Sequence, residues 1–267
     1  EEAAEIERQA VARVAEQNEP SAVRTAPLPA GGNVGAYNSY WTEQGTRIVP
    51  TGRTSLITDP LNGRLPQLTS EALARITSVE NRRIFDAREG LAPAHGPEDM
   101  GLSERCLWYR GIPTFPTGYN NNYHIVQNPD FILILQEHIH DLRVITLDGR
   151  PHLPPNIQQF AGSSRGHWEG DTLVVETTNF HSETAARGSS QDTQLIERFR
   201  RLDPDTVMYE FTFEDENHFT QPWTAAMPLR RTDGPLFEYA CHEGNIGMHG
   251  IMAGARNLDT QSVDATR

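Results

Sequence analysis

The stretch that decides the fold lies in the second half of the chain, where residues 198–215 read RFRRLDPDTVMYEFTFED. The turn signal Asp203-Pro204-Asp205 separates two strand-like segments, and this is the strongest short-range indication of a β-hairpin. After the turn every second residue is large and apolar, namely Val207, Tyr209, Phe211 and Phe213. Such alternation predicts a strand with one buried face and one exposed face.

Turn signals of this kind recur from Tyr123 to Cys241 and predict an antiparallel meander. We expect strands at residues 123–127, 131–140, 142–147, 172–180, 195–202, 206–215, 224–230 and 236–241. Successive hairpins are typical of a sheet that curls into an up-and-down barrel. The predicted fold is therefore all-β with minor α, an antiparallel meander closing into a lipocalin- or calycin-like β-barrel with N-terminal helices and straps outside it.

A chain of 267 residues can hold one large β domain or two small ones. Charged, alanine-rich sequence predicts a first helix at residues 1–17, and a second is expected from Ser70 to about Arg88 with Thr69 as its N-cap. We expect a single structural unit. Its parts are an N-terminal helix, linker and strap region, a β-barrel domain and a frayed tail, at residues 1–122, 123–256 and 257–267.

The composition argues against several classes of partner. A formal net charge of −13 and a pI near 5.2 disfavour nucleic acid and anionic membrane surfaces, which both attract basic proteins. The longest purely apolar run, Phe131 to Leu135, is far shorter than a membrane span. We therefore expect a small-molecule ligand or substrate, without nucleic acid or membrane insertion, and the sequence leaves a homo-oligomer open.

The two cysteines, Cys106 and Cys241, lack the CxxC spacing of zinc and thioredoxin-type sites. They either form one disulfide or remain buried thiols. The chain opens with the letters EEAA, which fits the removal of an export signal and equally a chain shortened in another way. In an exported protein, a disulfide would tie the segment before the barrel to its last strand.

Ionisable groups crowd into residues 238–245, which read EYACHEGN. On a strand, Glu238 and His242 would share one face, and a carboxylate beside an imidazole orients a general base. Glu243 and Asn245 follow where the strand would end, near the expected mouth of the barrel. The alternative is structural, because these groups precede a plausible helix and would then cap it.

A second cluster, residues 137–141, contains His138 and His140, whose imidazoles would face the same way on a strand, as metal sites require. The alternative is two polar residues at a fraying strand end. The spacing does not define a third ligand, and the candidates are His124, His167 and His242. Glu137 would point into the opposite face, where a buried carboxylate needs a partner, and Arg143 across the turn is the obvious one.

A third segment, residues 166–180, reads GHWEGDTLVVETTNF. Trp168 and the apolar residues after it are expected in the core, around a tight turn at Glu169-Gly170-Asp171. His167 and Glu176 remain candidates for lining a pocket. No GxSxG, HExxH, Walker or GxGxxG signature is present, so nothing in the sequence indicates a nucleotide cofactor.

These motifs resemble those of a family of uncharacterised, exported, β-rich bacterial proteins. The matching segments are RTSLITDP, LDGRPH, GHWEGDTLVV, ERF and EYACHEGN, at residues 53–60, 147–152, 166–175, 197–199 and 238–245. The resemblance implies a periplasmic or secreted setting and a removed signal peptide. It implies no activity, so the candidate residues rest on their chemistry.

We expect a cofactor-independent acid–base enzyme, of the isomerase, cyclase or lyase type, acting on a small, partly apolar molecule inside the barrel. The catalytic candidates are His242 as general base or acid, Glu238 as its orienting partner, Glu243 or Glu137 as second titrating group, and Arg143 or Arg198 facing a developing oxyanion. The ligand-binding candidates are His138, His140, His167, Arg198, Tyr209, Trp223 and Asn245.

Two other functions stay open at this point. One is a non-catalytic, lipocalin-like carrier, in which Tyr209 and Trp223 line an apolar cavity. The other is a metal-dependent hydrolase that uses His138 and His140, the one place where a divalent metal would bind. A cavity with at most one ionisable group favours the carrier, whereas a histidine and two carboxylates that converge favour the enzyme.

Overall fold

The computed structural model describes residues 2–18, 53–78, 92–109, 112–182 and 190–264, with Gly45, Asn81 and Asp86 as isolated positions. The chain divides into two compact units. The first comprises Glu1–Arg53 and Phe115–Asn122 and contains helix α1 (Glu2–Asn18), which confirms the predicted first helix. The second comprises Thr54–Thr114 and Tyr123–Arg267. The predicted linker after α1 lies outside the described residues.

The second unit is mostly β-sheet. Its described residues form nine strands, which are β1 (Ile57–Asp59), β2 (Tyr123–Gln127), β3 (Phe131–Gln136), β4 (Leu142–Thr146), β5 (Ser163–Glu169), β6 (Thr172–Thr178), β7 (Gln194–Asp203), β8 (Thr206–Glu214) and β9 (Trp223–Arg230). It also contains the helices α2 (Ser70–Ile76) and α3 (Ile246–Asp264). Two short 3-10 turns lie at Pro97–Asp99 and His138–His140.

All nine strands belong to one mixed sheet, in the order β1-β9-β8-β7-β6-β5-β4-β3-β2. Neighbours are antiparallel except β4 and β5, which are parallel. The two edge strands β1 and β2 do not pair with each other within the described part of the chain. The prediction of a β-rich fold is therefore confirmed. The sheet is not antiparallel throughout, because β4 and β5 are parallel, and closure into a lipocalin-like barrel is not confirmed.

The strand register brings apolar side chains of neighbouring strands onto one side of the sheet, where they form a continuous face. In β8 this face carries Tyr209, Phe211 and Phe213, which are fully buried or nearly so. Their partners in β9 include Trp223, which lies opposite Phe213, so the alternation in the sequence identified this face correctly. Further along the sheet the buried face carries Ile132, Ile134, Ile145, Leu173 and Val175.

Two predicted strands are wrong. The strand expected at residues 131–140 ends at Gln136, because Ile139 and His140 have positive φ values of 53° and 47°, which extended backbone excludes. The strand expected at residues 236–241 is irregular backbone that leads into a turn. The edge of β9 that it would have joined is occupied by β1, which comes from the region predicted as a strap outside the barrel.

Helix α2 is anchored on the turn between β8 and β9. Thr69 is its N-cap as predicted, since its hydroxyl accepts a hydrogen bond from the Ala72 amide at 3.0 Å and donates one to the Asn217 carbonyl at 2.9 Å. The Arg75 guanidinium contacts Nδ1 of the buried His218 at 3.1 Å. Burial lowers the pKa of His218, so the imidazole is neutral and Nδ1 accepts this hydrogen bond. Helix α2 ends at Ile76, and most of the remaining predicted segment, to about Arg88, lies outside the described residues.

Helix α3 follows directly after the crowded 238–245 motif. Its N-cap is Asn245, whose Oδ1 accepts a hydrogen bond from the Met248 amide at 3.3 Å. Arg256 donates hydrogen bonds to the carbonyls of Ala94 and His95 at 2.6 and 3.0 Å, which ties the helix to the segment before β2. The helix continues to Asp264, so the tail predicted to fray from residue 257 is helical for most of its length. None of the described helices is long and apolar enough to cross a membrane.

Cys106 and Cys241 form a disulfide, with their Cα atoms 5.7 Å apart. Of the two alternatives for these cysteines the disulfide is the one found, and it joins two irregular segments rather than a barrel strand. Asn245 reinforces the same junction, because its Nδ2 donates a hydrogen bond to the Glu104 carbonyl at 2.8 Å. The 238–245 motif is therefore held against the 104–106 segment by a covalent bond and a hydrogen bond.

Replacing both cysteines, Cys106→Ser with Cys241→Ser, is expected to lower the free energy of unfolding by about 2–4 kcal/mol, with about 5 kcal/mol as the chain-entropy limit for so long a loop. The bond spans a sequence separation of 135 residues, so it restricts the unfolded chain strongly. Urea unfolding followed by tryptophan fluorescence measures the change.

A reducing agent supplies the internal control for this prediction. Dithiothreitol should lower the stability of the wild type to that of the double serine variant, while leaving the variant itself unchanged. Equal stability of oxidised wild type and variant would show that the bond contributes nothing.

Candidate functional site

A cleft lies on the concave, apolar side of the sheet. Strands from both ends of the sheet contribute to it, because Tyr123 and Ile125 of β2 and Leu229 of β9 line the same space. The sheet is therefore strongly curved although it is not closed. The cleft is narrow, with a cavity volume of about 30 Å³, and it opens to solvent at its mouth. Further apolar walls come from Trp108, Ile112, Ile134, Leu142, Ala161 and Phe199.

The polar part of the cleft is built around a buried ion pair between Arg143 of β4 and Glu197 of β7. The contact is bidentate, since Nη1 of Arg143 donates to Oε1 of Glu197 at 3.1 Å and Nη2 donates to Oε2. Nη2 also donates to the Thr177 hydroxyl at 2.7 Å, and Nε to the Ser164 hydroxyl at 2.9 Å. The guanidinium is thus satisfied on all three nitrogens, which is what a buried arginine requires.

Tyr209 completes this network from β8. Its hydroxyl donates to Oε1 of Glu197 at 2.7 Å and accepts a hydrogen bond from the Thr114 amide at 3.2 Å. Burial, and then the negative charge of Glu197, raise the pKa of Tyr209 well above its ordinary value, so the phenol stays protonated. The network crosses five neighbouring strands, and its charges cancel internally.

Asp141 is the other ionisable group of the cleft, and it lies outside the ion pair. The 3-10 turn between β3 and β4 reverses the chain and brings Asp141 beside Gln136, whose amide donates to the Asp141 carbonyl at 3.0 Å. The Gln136 side chain lies 3.4 Å from the carboxylate. Burial raises the pKa of Asp141 to about 6, and neither Gln136 nor the charge of His140 offsets that effect.

Trp108 contributes a buried donor to the wall of the cleft. Its side chain is largely buried and packs near Phe160, with ring centroids 6.3 Å apart. Its Nε1–H has no hydrogen-bond partner within the described part of the chain. A buried donor without an acceptor is uncommon in native proteins, because its desolvation is then uncompensated.

The predicted catalytic cluster of the 238–245 motif is not brought into the cleft. Glu238, His242 and Glu243 are exposed on the irregular segment before α3. Since this segment is not a strand, the expected sharing of one face by Glu238 and His242 has no structural basis. Asn245 is half-buried but engaged as the N-cap of α3 and in the bond to Glu104. The structural alternative for this motif therefore describes its geometry better.

The two histidines of the 137–141 cluster are separated by the 3-10 turn. His138 is buried between the rings of Tyr109 and Tyr239, at centroid distances of 4.4 and 4.8 Å, whereas His140 is exposed. The expectation that both imidazoles face one way on a strand is therefore wrong. Within the described residues no group of three or more histidine, cysteine or acidic side chains is arranged to hold a metal ion.

Glu137 is buried, as expected, but at the start of this turn rather than on a strand face. The Arg143 guanidinium pairs with Glu197 instead of with Glu137. The proposed partner across the turn was wrong because Arg143 points into the concave face of the sheet, whereas the chain leaves the sheet plane after Gln136.

Other candidates lie on the outer face of the sheet or in its core. His167 and Arg198 are exposed on the outer face and both contact Glu169, at 3.3 and 2.7 Å. Glu176 alternates with buried neighbours in β6 and points to the same outer side. Trp168, expected in the core, is 47% exposed at the end of its strand. Of the ligand-binding candidates, Tyr209 belongs to the network beneath the cleft, and Trp223 lies in the core.

Sequence reasoning missed Glu197, Gln136 and Asp141. A signal for Glu197 was present, since it interrupts the apolar face of β7 between Leu195 and Phe199, and a charge in such a position must find a partner. No local pattern marks Asp141. Its burial depends on the turn that brings it against Gln136 and on the distant strands that wall the cleft.

Comparison of the chain with protein-family models, with curated proteins and with solved structures gave no match. The interpretation of the site consequently rests on its own chemistry. Two features define that chemistry, namely a self-neutralised ion pair and a desolvated carboxyl in a largely apolar cleft.

The buried ion pair generates a prediction about stability. Glu197→Gln or Arg143→Met alone is expected to cost about 3–5 kcal/mol, because each leaves its partner buried and uncompensated. The double variant should cost less than the sum, with a coupling of about 1–3 kcal/mol. Urea unfolding of all four proteins measures this cycle.

The exposed pair Arg198 and Glu169 offers a matched control on the same sheet. The corresponding cycle there should show a much smaller coupling, since water screens both groups. Additive effects at Arg143 and Glu197 would contradict the energetic importance of the buried pair.

Asp141 generates a second prediction, in which stability depends on pH. Because burial raises the pKa of the folded-state carboxyl to about 6, above its unfolded value of 3.8, the ionised form disfavours the folded state. Asp141→Asn should therefore raise the melting temperature at about pH 8. The gain should shrink as the pH falls through about 6 and be absent below about pH 4.

Thermal unfolding by circular dichroism measures this effect. Asp171→Asn removes an equal charge from the exposed turn between β5 and β6 and should show no such pH window. A stabilisation by Asp141→Asn that is the same at pH 4 and pH 8 would rule out the desolvated carboxylate as its cause.

Proposed function

We propose that the protein is a cofactor-independent acid–base enzyme of the isomerase, cyclase or lyase type. Its substrate is a small, partly apolar molecule that binds in the cleft, and Asp141 moves a proton to or from it. In this proposal the curved sheet does what the closed wall of a lipocalin-like barrel does, enclosing the ligand on its concave side.

One observation carries the proposal, which is the position of the Asp141 carboxyl in the cleft. A general acid or base works best when its pKa lies near the working pH, and enzymes raise carboxyl pKa values towards that range by burial. Burial raises the pKa of Asp141 to about 6, and its side chain lines an apolar space open at one end. Asp141 therefore takes the role that the sequence suggested for His242.

The neighbouring groups support proton transfer by positioning the carboxyl. Gln136 lies 3.4 Å from one carboxylate oxygen and holds the backbone of Asp141 through its own amide. Arg143, expected to stabilise a developing oxyanion, has each of its nitrogens engaged with Glu197, Ser164 or Thr177. Its role in this proposal is to shape the base of the cleft.

The carrier function is favoured by a separate observation. Since Arg143 and Glu197 neutralise one another, Asp141 is the one acidic or basic side chain in the described lining of the cleft that is outside an ion pair and charged near neutral pH. A mostly apolar cleft with a single such group suits a carrier that binds without converting its ligand. The enzyme and the carrier differ in whether the bound molecule is converted to a product.

The disulfide supports a periplasmic or secreted location, because such bonds persist in oxidising compartments and are rare in the cytosol. The disulfide is consistent with the exported setting that the resemblance of the sequence motifs implies. Neither the location nor the absence of a cofactor is needed for the proton-transfer proposal, which depends on Asp141 and the cleft.

Solvent exchange of acidic C–H protons tests the proposal without a known substrate. Small aryl ketones are incubated with the protein in deuterium oxide, and proton NMR follows their α-hydrogens. The wild type should accelerate exchange with a rate that rises as Asp141 ionises near pH 6, and Asp141→Asn should reduce it by about 10²–10⁴.

Binding of N-phenyl-1-naphthylamine, a fluorescent apolar probe, provides the companion measurement. Ala161→Phe, which narrows the cleft, should weaken probe binding, and Asp141→Asn should retain it. Probe binding without exchange of any ketone would favour the carrier. Undiminished exchange in Asp141→Asn would contradict the proposed base.

A further inference from the structure

The cleft carries one unbalanced charge. The positive charge of Arg143 is balanced by Glu197, and the bonds to Ser164 and Thr177 bring the engaged N–H donors of the guanidinium to four of its five. Among the described residues, the cleft therefore offers an incoming carboxylate or phosphate no cation whose charge is unbalanced. What remains is the carboxylate of Asp141, so the lining has a net negative charge when this group is ionised.

The Asp141 carboxylate lacks a cationic partner. Its carboxylate accepts a hydrogen bond from the side-chain amide of Gln136 at 3.4 Å, at the long limit of a hydrogen bond, and no arginine or lysine in the described ranges forms an ion pair with it. The charge of the adjacent His140 lowers the pKa of Asp141, but by less than the Gln136 hydrogen bond does. A partly desolvated carboxylate that is left unpaired is costly, and a bound cation would relieve that cost.

The walls around this carboxylate are also suited to a cation on an apolar body. Trp108, Tyr123 and Phe199 all line the cleft. The faces of aromatic rings attract ammonium groups, and the attraction strengthens where water is excluded. Aliphatic side chains such as Ile134 and Leu229 would contact the apolar part of such a ligand.

We infer that the ligand of the cleft is an amine, bound as its ammonium ion by Asp141, with an apolar ring-bearing body against the aromatic walls. This inference rests on the proposed function, because it names the substrate class of the same site. An anionic ligand meets an unbalanced carboxylate and an arginine whose charge Glu197 already balances. An uncharged ligand leaves the carboxylate without a counter-charge.

Three probes with the same ring test the inference. They are 1-naphthylmethylamine, 1-naphthalenemethanol and 1-naphthoate, which are cationic, neutral and anionic at about pH 7.5. Isothermal calorimetry at constant salt should give the tightest binding for the amine, about tenfold or more tighter than the alcohol, since a hydrogen-bonded charge pair exceeds a neutral contact. The carboxylate should bind more weakly than the alcohol.

Asp141→Asn should reduce the affinity for the amine to that for the alcohol and leave the alcohol unchanged. Asp171→Asn removes the same charge from the exposed turn between β5 and β6. It should leave the order of affinities for the three probes unchanged. Circular dichroism at 25 °C confirms that each variant is folded before binding is compared.

The outcomes separate this inference from the proposed function. If the alcohol binds as tightly as the amine and Ala161→Phe weakens both, the cleft is a ligand site but the amine class is wrong. An amine preference that survives in Asp141→Asn also overturns the inference. If none of the probes binds, or if Ala161→Phe affects none of them, the cleft itself is not the site and the proposed function fails with it.

Discussion

The bidentate pair between Arg143 and Glu197 is the interaction on which the rest of the structure depends. It joins β4 to β7 across two intervening strands, while Ser164 and Thr177 bind the guanidinium from those strands. The parallel junction of β4 and β5 is short, with only two register pairs. The bond from Arg143 to Ser164 therefore strengthens one of the two junctions of the sheet that have only two register pairs, and it does so on the concave side.

The same pair decides the electrostatics of the cleft. A buried arginine whose charge is balanced by one carboxylate, and which also binds two hydroxyls, contributes shape and no net charge. The net charge of the site is then set by Asp141, which lies two residues before Arg143 in the chain. One structural ion pair thereby turns a cleft with three ionisable residues into a cleft with a single effective charge.

The motif at residues 238–245 shows why a crowded stretch of ionisable groups is a poor guide to a site. Its cysteine forms the disulfide with Cys106, and Asn245 caps α3 and binds the Glu104 carbonyl. His242 and its acidic neighbours remain in contact with water. A crowded stretch of ionisable residues forms a site only when distant elements of the fold pack around it. Here they pack around the turn between β3 and β4 instead.

The sequence by itself determined the β-rich fold, the buried face of its clearest hairpin and the first turn of α2. Each depends on neighbours in the chain, such as the alternation through Tyr209 and the hydroxyl of Thr69. The disulfide stood as one of two alternatives. The open sheet, the parallel junction and the cleft were decided by tertiary structure, because they depend on which edges meet and on where β1 pairs. Asp141 became a candidate site residue for the same reason, since its burial comes from a turn with positive φ and from walls contributed by distant strands.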